Sequence, residues 1–447
     1  MSASEAIANG LIIATTVSFL CVVLLSLCLV LSGRDSAFSP LVILLLINLY
    51  SNVARLNLIA VDPQLMQIKY YMATLSTEML NDGAILVGLG TLSICAGYLF
   101  TIFRPTRFNK PKKIPTFNKF RAYLFFGAFL GVLIVLVLSS DSSQTLSAKR
   151  LTVGKDGTRY SFGPLRFTLQ IMLGALQVIF VYILFNIKNR RLELGIILGL
   201  MFLTALLISK RSIIFFSLIP VIMISMHQVN AKKIFTASIL GSLVIIAVFR
   251  ITQLRSEAAL GNAFYTSSLY ETVESLFVFT TISANFGGIV PTAISSILIE
   301  ENVDWLVGRT WVIDPVAQFV PRSLWPSKPE ELGGQIRIIH QDMGLVSRRI
   351  YGGVPPGVFA EAWLNFRLWG VIGFSLIYGA WFGFLYQLTR KVYRIDLFQF
   401  GLAIYFAINT TFFLYGGHVA RAVNFSVQLL LGFMLLRATG VFRYRRL

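Results

Sequence analysis

Apolar runs of about 20 residues recur along the whole sequence, and each is long enough to cross the roughly 30 Å hydrocarbon core of a membrane as an α-helix. Hydrophobic residues fill 56% of the 447 positions and charged residues only 13%, a composition that excludes a soluble enzyme. The sequence therefore predicts an all-α polytopic integral membrane protein.

The apolar runs predict eleven transmembrane helices and one long loop. We place the helices at residues 8–31, 40–60, 83–103, 122–140, 167–187, 192–208, 212–227, 234–252, 368–389, 397–415 and 422–438. The chain is thus expected to divide into residues 1–252 with eight helices, a large, partly helical loop at 253–367, and residues 368–447 with three helices and a basic tail. The loop is too long to be a simple connector. We find no internal repeat of the kind that typifies secondary transporters.

The basic residues predict the orientation of the chain. The segment from Arg104 to Arg121 contains seven Lys and Arg residues and no acid, and such a loop stays in the cytoplasm. Counting helices alternately from this segment puts the other short basic loops and the Arg443–Arg446 tail on the same side. We therefore expect an external N-terminus, a cytoplasmic C-terminus and an external large loop.

The external face is basic as well, although topology gives no reason for it. The chain has a net charge of +19, and the outer loop at 141–166 carries five cations against two acids. Lys210 and Arg211 lie between two short apolar runs, and Arg250 closes another run. A charge at membrane depth is costly unless it lines a cavity or meets a partner. We infer that this face binds an anion such as a phosphate group; a solvated basic loop, with Lys210 and Arg211 snorkelling to the headgroups, is the alternative.

Several kinds of site are not predicted. The sequence contains no P-loop, no dinucleotide-binding glycine motif, no HExxH and no nucleophile elbow. Its three cysteines lie inside apolar runs and offer no metal-ligand spacing. We therefore expect no cofactor, no metal and no nucleic-acid partner. His340, in the middle of the large loop, is a candidate base, although a lone loop histidine is more often simply exposed.

Two motifs lie in the second half of the large loop. They read Val320-Pro-Arg-Ser-Leu-Trp-Pro-Ser-Lys-Pro329 and Gly353-Val-Pro-Pro-Gly-Val-Phe-Ala-Glu-Ala-Trp-Leu-Asn-Phe366, and a span with Gly370 and Gly373 follows. Over the C-terminal third, this arrangement resembles the O-antigen polymerase (Wzy) family of oligosaccharide repeat-unit polymerases. The segment around Arg211 is similar to the family's arginine between two short helices. The sequence departs from the family at Arg367, where the family has a glycine after Asn-Phe.

The resemblance implies a metal-independent glycosyltransferase in the bacterial inner membrane, with its active site facing the periplasm. Such an enzyme moves a growing glycan from undecaprenyl pyrophosphate onto the non-reducing end of a new lipid-linked repeat unit. The implied partners are the undecaprenyl pyrophosphate-linked oligosaccharide, membrane lipid and a chain-length regulator protein.

This reaction requires cations for the leaving pyrophosphate and one base for the proton of the acceptor hydroxyl. Six cations are assigned to the pyrophosphate, the primary ones being Arg211, Arg250 and Arg322 and the secondary ones Lys328, Arg348 and Arg349. Glu361 or His340 is the base, and Glu361 fits the motif better. Because Glu361 precedes the predicted ninth span, its alternative role is to hold the loop by pairing with a cation.

Three other functions stay open on the sequence alone. An O-antigen ligase shares the architecture but transfers the finished glycan to a lipid core, and it tends to carry a histidine-led motif that the residues after His340 do not form. A flippase or transporter of lipid-linked sugars is expected to have short outer loops and two similar halves. A non-catalytic scaffold of polysaccharide assembly is the third.

Overall fold

The structure is a computed structural model that describes the chain in segments. These are residues 77–103, 113–138, 163–185, 191–208, 306–320, 324–329, 332–342, 357–392 and 419–446, with the single positions Leu41, Leu402, Tyr405, Phe406, Asn409 and Thr410. Most of these residues are helical. Their elements are α1 (Thr77–Ile102), β1 (Lys113–Phe117), α2 (Lys119–Leu138), α3 (Gly163–Phe185), α4 (Arg191–Ile208), α5 (Arg309–Phe319), α6 (Leu332–Asp342), α7 (Gly357–Val392), α8 (Val419–Ala438) and β2 (Phe442–Arg446).

Three segments of these helices are long and apolar enough to cross a membrane, which identifies the chain as a membrane protein. They are Asp82–Ile102 of α1, Gly357–Leu385 of α7 and the whole of α8. Shorter apolar stretches, Thr168–Ile183 and Leu192–Met201, lie in α3 and α4. The described helices α1 to α4 and α8 overlap closely with five of the predicted spans. Apart from a few single positions, the predicted spans at 8–31, 40–60, 212–227, 234–252 and 397–415 lie outside the described residues.

Helix α7 differs from the predicted ninth span, which was expected to begin at 368. The helix begins at Gly357, so the residues that precede the predicted span are helical and not a loop. Its helical geometry breaks at Phe366 and Arg367, next to the predicted boundary. Hydropathy misses the first segment because it contains the polar residues Glu361 and Asn365, which are nevertheless buried.

The described residues belong to two compact units. The first contains α1, α5, α6, α7 as far as Leu388, and the start of α8 as far as Asn424. The second contains β1, α2, α3, α4, the rest of α8 and β2.

In the first unit, α1 and α7 pack closely through small residues. A Cβ atom at Gly379 would collide with the carbonyl oxygen of Ile94, and one at Gly97 would collide with the carbonyl oxygen of Leu376. Gly383 is equally close to Thr101. Such glycines let helix backbones approach each other in membranes, where packing rather than the hydrophobic effect holds helices together.

A side chain of α7 donates hydrogen bonds to the last carbonyl groups of α1. The last carbonyl groups of a helix have no partner within the helix. The Gln387 side-chain amide donates to the carbonyl oxygens of Thr101 and Ile102, the latter at 3.1 Å. This contact fixes the register of α1 against α7, because the amide reaches only the final turn.

In the second unit, β1 and β2 form an antiparallel ribbon that the sequence did not predict. Lys113 is paired with Arg446 and Phe117 with Phe442. The rings of Phe117 and Phe442 pack against Tyr182 of α3, with centroid distances of 5.3 and 5.2 Å. The two basic segments that the charge pattern predicted to share one side of the membrane are therefore hydrogen-bonded to each other. Which side they occupy is not given by this pairing.

Helix ends in the second unit are capped by the residues that flank the ribbon. Asn118 precedes α2, and its side-chain oxygen accepts a hydrogen bond from the backbone N–H of Arg121 at 3.2 Å, as an N-cap does. Gly440 follows α8 with φ of +70° and donates to the carbonyl of Arg437, which is the glycine-favoured way to end a helix. The Arg121 guanidinium donates to the carbonyl of Thr439 at 2.9 Å, so the two caps contact each other.

Two further contacts join the helices of the second unit. Gly174 of α3 lies against the backbone of Gln428, and Gly432 of α8 lies against the backbone of Ala175. A buried acid, Glu193 in the first turn of α4, forms an ion pair with Lys119 of α2 at 3.4 Å.

Candidate functional site

Glu361, the predicted base, is completely buried in the second turn of α7. Its Oε2 atom accepts a hydrogen bond of 2.8 Å from the backbone N–H of Val419. Val419 is the first residue of α8, and the first N–H groups of a helix have no partner within it. The Glu361 side chain therefore satisfies the N-terminus of α8, where the helix dipole favours a negative charge.

Asn365 lies one turn after Glu361 and is also completely buried. Its side-chain nitrogen donates to the Thr310 hydroxyl and to the Glu361 backbone carbonyl, both at 2.7 Å. The Thr310 hydroxyl in turn interacts with the Glu361 carboxyl group. The motif residues Glu361 and Asn365 are thus joined to each other and to α5.

A second acid, Asp314, lies in α5 one turn after Thr310. Asp314 is buried, and its charge acts on Glu361. We refer to Thr310, Asp314, Glu361 and Asn365 together as the polar cluster. Sequence analysis missed Thr310 and Asp314, because their contacts with α7 cross about 50 residues of sequence. The local signal was a threonine and an aspartate four residues apart, on one face of the helix.

The Glu361 carboxyl group contacts polar groups but no described cation. Its Oε1 atom has no hydrogen-bond partner in the described part of the chain. The alternative role predicted for Glu361, an ion pair that holds the loop, therefore has no counterpart among these residues. The donor to its other oxygen belongs to the backbone of α8, and the Thr310 hydroxyl interacts with the carboxyl group.

Aromatic rings of α5 and α7 pack together beside the break in α7. The Trp311 ring stacks on Phe374 with a centroid distance of 4.7 Å and lies 5.4 Å from the Phe366 ring. Arg367 has φ of +53° and ψ of −141°, and its guanidinium lies 5.8 Å from the centre of the Trp363 ring. This arrangement turns the chain sharply between the two segments of α7, at the position where the resemblance expects a glycine.

Lys328, a predicted secondary cation, closes a turn. Its ammonium group donates to the carbonyl of Val320 at 3.1 Å, and its backbone N–H donates to the carbonyl of Trp325 at 3.1 Å. The Trp-Pro-Ser-Lys motif therefore folds back on the end of α5. The role of Lys328 toward pyrophosphate stays a prediction.

His340, the alternative base, lies near the end of α6, in the same unit as Glu361. Only its backbone belongs to the described structure. Leu332 and Ile336 of α6 pack against Leu364, the residue before Asn365. Helix α6 therefore contacts the segment of α7 that carries the polar cluster.

The remaining predicted cations lie outside the described residues, and the pyrophosphate-binding role stays a prediction for each: Arg211, Arg250, Arg322, Arg348 and Arg349. Within the described segments, no group of three or more His, Cys, Asp or Glu residues could hold a metal ion. The structure thus places one predicted site residue, Glu361, in a built site and brings two unpredicted residues to it. Comparison with protein-family models, with curated proteins and with solved structures finds no match for this chain.

Proposed function

We propose that this chain is an oligosaccharide repeat-unit polymerase that acts on the periplasmic side of the bacterial inner membrane. It transfers the growing glycan from undecaprenyl pyrophosphate to the non-reducing end of a new lipid-linked unit, without a metal. The proposal includes eleven membrane-spanning helices, an external N-terminus and a cytoplasmic C-terminus. A chain-length regulator protein is its expected partner.

One observation carries the proposal: the motif on which the family resemblance rests is also a place where the described residues bury polar groups together. Glu361 and Asn365 belong to that motif, and α5 adds Thr310 and Asp314. Burying such groups costs free energy unless they are well partnered. An ionisable residue within an apolar helix therefore points first to a functional site.

In this proposal the two oxygens of Glu361 have different tasks. The contact of Oε2 with the Val419 N–H orients the carboxyl group, and Oε1 accepts the proton of the acceptor hydroxyl. Since Glu361 is completely buried, the acceptor sugar reaches it only after a neighbouring element moves. His340 is the alternative base.

In this proposal, the six predicted cations neutralise the negative charge of the leaving pyrophosphate. Arginine suits this role because its planar fork of donors matches two phosphate oxygens at once. The primary residues of this proposal are Arg211, Arg250 and Arg322, and the secondary ones are Lys328, Arg348 and Arg349.

The test is a polymerisation reaction with purified protein and a lipid-linked repeat unit in detergent, in which the wild type gives a ladder of products. Glu361→Gln keeps the size and most hydrogen bonds of the side chain but cannot accept the proton. We expect turnover to fall by about 10²–10⁴-fold. Glu193→Gln is the matched control, because Glu193 is a buried acid of the second unit that belongs to no proposed site.

Thermal unfolding of the same samples separates the base from a purely structural glutamate. The base role predicts an unfolding midpoint for Glu361→Gln close to that of the wild type. A lowered midpoint with near-normal turnover per folded molecule would show that Glu361 only tethers α7 to α8. Normal turnover in Glu361→Gln together with lost turnover in His340→Ala would move the base to the histidine. A wild type that forms no ladder would refute the polymerase itself.

A further inference from the structure

Helix α5 buries polar residues and exposes apolar ones, which is the reverse of a helix on the surface of a water-soluble protein. Two of its polar residues, Thr310 and Asp314, are buried against α7, and Arg309 in the first turn is half-exposed. Its branched apolar residues point outward: 68% of Val312, 44% of Ile313 and 61% of Val316 are exposed. A helix beside water normally buries the apolar stripe and exposes the polar one. This inversion suits a helix whose outer surroundings are apolar.

Helix α5 lies beside a helix segment that can cross a membrane. Trp311 stacks on Phe374, which belongs to the Gly357–Leu385 segment. Further along this segment, Leu376 and Ile377 are also exposed. In a membrane-spanning helix, such side chains contact lipid. Helix α5 therefore packs on a segment whose own exposed side chains suit an apolar environment, and its face of Val312, Ile313 and Val316 points away from that contact.

The length of α7 indicates the depth at which α5 lies in the membrane. Counting back about 20 residues of helix, roughly the 30 Å of the hydrocarbon core, from Leu385 at the end of the apolar segment reaches the break at Phe366 and Arg367, next to Trp369. Trp369 is 80% exposed, as is typical of tryptophans in the belt at a membrane boundary. Because the Trp311 ring contacts Phe366 and Phe374, on either side of Trp369, α5 lies at this boundary.

We propose that α5 is an interfacial membrane helix whose face of Val312, Ile313 and Val316 contacts lipid acyl chains at the boundary marked by Trp369. Helices of this kind insert an apolar face about 5–10 Å into the region between headgroups and acyl chains. The polar cluster then lies beneath a single helix that is itself in contact with lipid. This inference does not depend on the proposed polymerase activity.

The test uses the full chain in phosphatidylcholine and phosphatidylglycerol nanodiscs, with its native cysteines replaced by alanine. A nitroxide is attached to a single cysteine introduced at Val312, Ile313 or Val316. Collisions with oxygen, which concentrates in lipid, are compared with collisions with a water-soluble nickel chelate. Ile377 is the lipid-exposed reference and Asp342, at the exposed end of α6, is the aqueous reference.

We expect all three positions of α5 to resemble Ile377, with a loss of collisions with the nickel chelate relative to Asp342. Nickel accessibility equal to that of Asp342 would overturn the proposal, because the face would then contact water. Low accessibility to both reagents would overturn it as well, because another protein surface would then cover the face.

A second pair of variants keeps the proposal testable if the label disturbs folding. In unlabelled protein, Val316→Leu should leave the thermal midpoint in nanodiscs unchanged, whereas Val316→Asp should lower it, since a short charged side chain that faces acyl chains cannot reach the headgroups and is costly. Equal midpoints for the two variants would contradict contact with lipid.

Discussion

At the scale of single residues, Arg367 shows what the sequence could and could not predict. The family resemblance predicts a glycine at this position, and the sequence has an arginine. The structure shows why glycine suits it: φ of +53° with ψ of −141° is a conformation that disfavours any side chain. The contact of the guanidinium with the Trp363 ring partly offsets this strain.

Arg367→Gly should therefore stabilise the protein. Relief of the backbone strain is worth about 1–3 kcal/mol, and the lost contact with the tryptophan ring costs about 0.5–1 kcal/mol. We expect a net gain of about 1 kcal/mol, measured as a higher thermal midpoint in detergent. Arg367→Ala is the control, because it loses the ring contact and keeps the Cβ atom, so its midpoint should fall. Equal stabilisation by Ala and Gly would disprove the explanation by backbone conformation.

Other single residues were predictable only in part. Glu361 was identified from its motif, but its partners were not, since a hydrogen bond from Val419 depends on how α8 begins against α7. Lys328 was selected for its charge, and the structure adds a structural contact with Val320. In both cases the sequence indicated a residue of interest, whereas its neighbours follow from tertiary packing.

At the scale of helices, the packing of α1 on α7 depends on where glycines are placed. Gly379 faces Ile94 at backbone contact, whereas Gly373 on the same helix has no atom near the position of a Cβ. Both glycines look alike in the sequence. Only the structure separates the one that permits close approach of the two helices from the one that does not.

Gly379→Ala should destabilise the first unit, because the added methyl group collides with the Ile94 carbonyl and must push the helices apart. Overpacking of this kind typically costs about 1–3 kcal/mol. Gly373→Ala is the matched control and should be neutral or slightly stabilising, since alanine is the better helix former. The measurement is the thermal midpoint in nanodiscs. Equal midpoints for the two variants would show that α1 and α7 do not pack through Gly379.

The sequence located helices better than their ends. Apolar runs alone placed five described helices within a few residues, because membrane length and apolar composition fix a span. Helix α7 begins before the predicted span because Glu361 and Asn365, which lower the local hydropathy, are satisfied by contacts with α5 and α8. The β1–β2 ribbon was missed because Pro115 argues against a strand in a five-residue segment.

At the scale of the whole molecule, the charge pattern and the structure agree that two basic segments belong together. The charge pattern predicted that the basic segment before α2 and the one after α8 share a side of the membrane. The ribbon pairs them residue by residue, from Lys113 with Arg446 to Phe117 with Phe442. The number of spans and the absolute orientation stay predictions, since they depend on segments outside the described residues.

Labelling of single cysteines by a reagent that cannot cross membranes tests this orientation. In right-side-out vesicles, Thr116→Cys and Arg443→Cys should be protected, and Ser327→Cys, in the large loop, should react. All three should react once the membrane is permeabilised, which is the control for accessibility. Reaction of only one of the two ribbon positions would contradict the pairing, and reaction of both with protection of Ser327→Cys would reverse the proposed orientation.

The ribbon also has a consequence for the order in which the protein is made. A ribosome releases β1 early, yet its partner strand Phe442–Arg446 is translated only after all the other described elements. Until then Phe117 lacks Phe442, with which it packs against Tyr182. Nascent chains interrupted before Phe442 therefore leave the rings of Phe117 and Tyr182 without this partner, so assembly of the second unit is completed only after strand β2 has been synthesised.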